Sequence, residues 1–167
     1  MRVRESHILI LVLILSMAGI GLATFLVANH YQLVSADFCS IGSLFSCEKV
    51  NQSDYSTIIG IPWAVIGLAG YVVVFALAYL RFYYPDKDTK SLFIPLLVIF
   101  SVIGTVFIVY LNYLELFVIN EICLLCAASH TIMVVILILV IWLYLRGRRA
   151  EDQVPLEKSI PVSGDPR

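Results

Sequence analysis

The sequence predicts an all-α membrane protein: a bundle of four transmembrane helices with both termini in the cytoplasm. Three observations predict it. Of the 167 residues, 60% are hydrophobic and 14% charged, and the mean hydropathy is +0.95, well above the soluble-domain norm of roughly half apolar. The apolar residues gather into four long runs. The positive charges fall almost entirely on one side of those runs.

The runs are His7 to Val27, Ile61 to Leu80, Ser91 to Tyr113 and Cys123 to Leu145. A helix of about 20 residues covers the roughly 30 Å hydrocarbon core, so each run suffices for one crossing and none for two. The first is preceded by Arg2 and Arg4 and followed by the small residues "VSA" at 34–36, as a secretory signal would be. Its apolar length exceeds the roughly 7 to 15 residues of a signal core, so it is expected to be retained as a span. Residues 1–145 thus form one membrane domain, with a loop at 28–60, and residues 146–167 form a polar tail. No internal repeat and no separate soluble domain is expected.

Arg2 and Arg4 precede span one, Arg81, Lys87 and Lys90 lie between spans two and three, and Arg146, Arg148, Arg149, Lys158 and Arg167 follow span four. Only Lys49 lies on the other side, among Asp37, Glu48 and Asp54, and the loop after span three carries Glu115 and Glu121. By the positive-inside rule both termini face the cytoplasm. Aromatic residues near the expected boundaries, including Tyr31, Trp63, Tyr83, Tyr113 and Trp142, agree with this frame. The net charge of -1 offers no basic field for nucleic acid.

This topology puts all four cysteines, Cys39, Cys47, Cys123 and Cys126, on the outer face, which is the oxidising side in most cells. Three readings are open: two structural disulfides, one zinc site, or a relay that passes a disulfide between pairs. A bridge between Cys123 and Cys126, one turn apart, would restrain little. Zinc could take four thiolates, but Leu124 and Leu125 stand where zinc knuckles carry glycine and polar residues; no metal is expected. The relay uses every cysteine. Asn120 is expected to cap the last helix, with Glu121 in its first turn and Cys123 near the third position, where free N–H groups favour a thiolate. The loop pair in "CSIGSLFSC" closes a small ring, worth only about 2.5 kcal/mol, so exchange costs little stability. Gly42 and its flanking serines are expected to give that loop mobility, and Leu44 and Phe45 to rest on the apolar mouth of the bundle. A thiol tethered there would meet Cys123 at high effective concentration.

Cys126 should lie a turn into the membrane, beside small or apolar neighbours, where an acceptor dissolved in the lipid could re-oxidise it. His130, four residues on, shares its helix face. It is either part of the site or a neutral histidine bonded to a neighbouring helix.

Together, "FCSIGSLFSCEKVNQS", "GIPWAVIGLAGY" and "CLLC" at the start of the last span resemble the vitamin K epoxide reductase family, over roughly residues 7 to 145. The resemblance implies a four-helix bundle around a quinone of menaquinone, ubiquinone or vitamin K type. It implies that Cys123 and Cys126 are the inner pair and Cys39 and Cys47 the shuttle pair, with Cys126 facing the quinone, Cys123 exchanging with Cys47, and Cys39 meeting the protein substrate. Ser53 matches the family's loop serine; with Ser56 and His130 it is expected near the quinone. Asn51, Gln52 and Ser53 also read as an N-glycosylation acceptor.

Vertebrate members have a longer stretch before span two and a tyrosine where this chain has His130. Both differences resemble the bacterial and archaeal branch, which implies a thiol:quinone oxidoreductase of the cell membrane supporting disulfide formation. Residues 146–167 are too few for a fused thioredoxin domain, so a separate thioredoxin-like partner on the outer side is expected. The alternatives are a vitamin K quinone or epoxide reductase proper, and a non-enzymatic scaffold with two structural disulfides. The other bacterial four-helix quinone-reducing disulfide oxidases carry Cys-x-x-Cys near span two; here it opens span four.

Overall fold

A computed structural model describes residues 3–39, 46–84 and 87–158. Gly42, Leu44 and Phe45, with Ser40 and Ser43, lie outside the described residues. The chain runs through α1 (Val3–His30), a 3-10 turn at Asp37–Cys39, a short α2 (Cys47–Asn51), and a two-stranded hairpin of β1 (Thr57–Ile58) and β2 (Ile61–Pro62). Then follow α3 (Trp63–Tyr83), α4 (Lys87–Tyr113), a π-helical stretch Leu114–Ile119, and α5 (Leu124–Lys158). Among the described residues, four helices are long and apolar enough to cross a membrane: Glu5–His30, Trp63–Tyr83, Leu92–Ile119 and Leu124–Arg149. Each contains most of one apolar run of the sequence. The third outlasts its expected end because the π-helical stretch continues it past Tyr113, and α5 carries helix well into the polar tail.

The helices form a ring: α1 packs on α3 and α5, and α4 packs on the same two. Their outward faces keep Ile14, Val106, Val109 and Ile138 mostly exposed, as suits side chains that meet lipid. Inside, Val12, Ala23, Val74, Leu97, Met133, Ile136 and Val140 form one cluster with Tyr71. Tyr71 crosses the bundle from α3, its hydroxyl donating to the Ser129 carbonyl of α5 at 2.6 Å. Its ring lies so close to Gly19 of α1 that a Cβ there would overlap it. At the end of the bundle away from the cysteines, buried Arg81 meets Glu5 at 3.1 Å and the Tyr84 carbonyl at 3.2 Å. A cation inside a span is thereby paired.

Candidate redox site at the mouth of the bundle

The segment between α1 and α3 folds back over one end of the bundle. Asn51, at the end of α2, is buried and donates through Nδ2 to the Leu26 carbonyl at 2.7 Å and to Asn29 Oδ1 at 3.0 Å. His30 Nδ1 meets the Asn51 carbonyl at 2.7 Å. These bonds fasten α2 to the last turn of α1. With both amide hydrogens committed in this way, Asn51 serves as an anchor. On the opposite flank, the Ser46 N–H donates to the Ile122 carbonyl at 3.2 Å, and Lys49 pairs with Glu121 at 2.8 Å. Lys49 is 67% exposed, so that pair adds little energy; the backbone bond sets the position.

These anchors carry the cysteines together. Cys39 and Cys47 are disulfide-bonded with Cα atoms 5.7 Å apart, and Cys123 and Cys126 with Cα atoms 5.1 Å apart. Cys39, Cys47 and Cys123 are all buried and share one cluster with Leu26, Ala36 and Val50, against which Cys126 packs.

The start of the last helix differs from the sequence expectation. Asn120 does not cap it: Asn120 takes a left-handed conformation, φ 56°, and terminates the π-helical stretch. Helix α5 begins at Leu124, because Glu121 to Cys123 are not helical and the Ile122 carbonyl is held by the Ser46 N–H. Cys123 is itself the cap. Its carbonyl accepts the first helical bond, from Ala127 N–H at 2.9 Å, and its Sγ accepts the Cys126 N–H at 3.1 Å. The helix N-terminus expected beside the Cys123 sulfur is thus present, with Cys123 at the cap rather than the third position.

Below this mouth lies a cavity of about 380 Å³ between α1, α3, α4 and α5, with mostly apolar walls. Cys126, His130 and Ser56 line it. Ser56 Oγ is buried without a hydrogen-bond partner among the described residues. His130 Nδ1 meets Asn112 Oδ1 of α4 at 3.0 Å, so the histidine is both bonded to a neighbouring helix and part of the wall. Ser53 is not brought to the cavity; its hydroxyl donates to the Val50 carbonyl at 2.9 Å and closes the end of α2. Trp63 frames the mouth, packing on Phe107 and Tyr110 while its indole N–H donates to the Tyr55 carbonyl at 3.1 Å.

Sequence reasoning missed three contributors. The sequence singles out neither Asn112 nor Tyr71, and it shows Glu115 only as a charge of the loop after span three. Glu115 is buried, lines the cavity, and accepts the Cys123 N–H on Oε2 at 3.5 Å. The available signal was its position, inside what the structure makes a continuation of span three, where an ionisable residue is costly.

Four membrane-spanning helices enclosing an apolar cavity, with two adjacent cysteine pairs at its mouth, define a multi-pass membrane protein suited to thiol redox chemistry. The sequence matches the vitamin K epoxide reductase family over residues 10–141, and the chain belongs to that family of oxidoreductases. No curated protein matches it in a sequence comparison.

Proposed function

We propose that the protein is a thiol:quinone oxidoreductase that draws electrons from a thioredoxin-like protein on the outer side and passes them to a membrane quinone, supporting disulfide formation. One observation carries this reading. The inner pair straddles two environments, with Cys123 in the buried cluster of Cys39 and Cys47 and Cys126 in the cavity wall. An inert staple would gain nothing from that division; a relay requires it. The charge asymmetry of the loops supports an extracytoplasmic site.

The cavity suits a quinone ring: mostly apolar walls, and polar groups at Ser56 and His130, of which Ser56 Oγ has no hydrogen-bond partner among the described residues. When bound, a quinone supplies a two-electron acceptor. In the chain itself, a partner thiolate attacks Cys39 and frees Cys47; the partner's second thiol then releases Cys39. Cys47 attacks Cys123, the Cys123–Cys126 bond breaks, and Cys126 leaves as a thiolate in the cavity wall. Cys39 resolves the Cys47–Cys123 bond and restores the loop disulfide. The amide at the start of α5 stabilises Cys123 as it departs. Anaerobic reduction of the purified protein, followed by ubiquinone or menaquinone analogues, should yield quinol as the inner disulfide re-forms. No quinol from any of them, with both disulfides fully reduced beforehand, would contradict the reading.

A further inference from the structure

Within the π-helical stretch Leu114–Ile119, the carboxyl group of Glu115 is turned inward beside Leu114, while apolar side chains face outward. Glu115 is 6% exposed, whereas Leu116 and Phe117 are 52% and 71% exposed. A wide helical turn at that point, a feature frequent at functional sites, points the one carboxyl group of the segment inward. Among the described residues Glu115 has no ion-pair partner. Nearby Glu121 is taken by Lys49, and His130 by Asn112. Burial of a carboxyl group without a cation is unfavourable, and the hydrogen bond that its side chain accepts from the Cys123 N–H, at 3.5 Å, is long.

The two sulfurs of the inner pair have unequal access to the cavity. Cys126 lines it, whereas Cys123 is wholly buried and does not. Of the titratable side chains on the cavity wall, Glu115 is the one hydrogen-bonded to Cys123 among the described residues. That bond runs from the Cys123 backbone N–H to Glu115 Oε2 at 3.5 Å, so the carboxyl group stands beside the isolated cysteine and also lines the cavity.

We propose that Glu115 is the proton carrier between Cys123 and the cavity. This rests on the thiol:quinone reading above. In the reduced protein Cys123 stands as the thiolate and Glu115 holds its proton; on oxidation the Cys126 S–H and the Glu115 O–H bonds break, one S–S bond forms, and two electrons and two protons leave for the quinone, which becomes the quinol. The Cys126 proton can cross the cavity directly. The Glu115 carboxylic acid releases its proton into the cavity, leaving a carboxylate that takes up a proton again when the pair is next reduced. No other oxidant or proton source is needed for the balance.

The test compares wild type, Glu115→Gln and Glu115→Asp as purified full-length proteins stripped of quinone. Infrared difference spectra between dithiothreitol-reduced and oxidised protein should contain a carboxyl C=O change in the wild type that is lost in Glu115→Gln and shifted in Glu115→Asp. Quinol formation in a single turnover should slow on the order of a hundredfold in Glu115→Gln, with partial recovery in Glu115→Asp. A wild-type difference spectrum in Glu115→Gln, or an unaltered rate, overturns the assignment. If Glu115→Gln does not fold, a wild-type spectrum with no carboxyl change overturns it equally. Wild-type protein that reduces no quinone overturns the proposed function instead, and the infrared measurement, which needs no quinone, still decides the role of Glu115.

Discussion

His130 shows how a single residue can satisfy two descriptions. Its bond to Asn112 ties α5 to α4, and its ring forms cavity wall. If a quinone oxygen also uses the ring, His130→Ala should weaken apparent quinone affinity by roughly 1 to 3 kcal/mol, seen in the quinone dependence of turnover. A lowered melting temperature with unchanged affinity would leave the histidine a structural tie alone. Asn51 is the reverse case: its place in an acceptor tripeptide suggested modification, yet its amide anchors the cysteine loop. Asn51→Ala should therefore destabilise the protein by about 1 to 3 kcal/mol, measured by thermal unfolding in detergent. At this scale the cysteines were legible because spacing alone exposes them. Glu115, Asn112 and Tyr71 were not, since their roles depend on which way a helix turns and sequence periodicity is silent when hydrophobicity surrounds the whole helix.

Among the elements, α1 and α3 meet where Gly19 receives the Tyr71 ring. Tyr71 belongs to the core cluster and also lines the cavity, so this contact sets the cavity floor. Gly19→Ala forces the ring away and should destabilise by about 1 to 3 kcal/mol through overpacking; unfolding at the wild-type temperature would contradict this packing. The span positions were legible because length and apolarity define them. The start of α5 was misread for a physical reason. Asn120 has the composition of a cap, but Ser46 from a distant loop binds Ile122 and keeps the chain out of the helix up to Cys123. Local propensity loses to a tertiary hydrogen bond, and the cysteine becomes its own helix cap.

Across the whole molecule, the bundle divides by height: a packed core with the Arg81–Glu5 pair toward one end, the cavity and both disulfides at the other. The chain order of spans and the charges of the loops together predict that the cysteine end faces outward. A cysteine placed at Lys87 should react with membrane-impermeant reagents only from the cytoplasmic side, and one placed at Lys49 only from outside. Labelling of the Lys87 position from outside would invert the protein and remove the relay from its compartment.

In the proposed relay, electrons pass between the pairs through a bond from Cys47 to Cys123. Replacing Cys39 by Ala removes the thiol that resolves this bond. Mass spectrometry of the proteolysed, alkylated Cys39→Ala protein should therefore find a peptide from the 46–52 region disulfide-linked to one containing Cys123, with Cys126 alkylated. If Cys47 is instead recovered free and Cys123 remains bonded to Cys126, no exchange occurs between the pairs, and the loop disulfide is a structural staple.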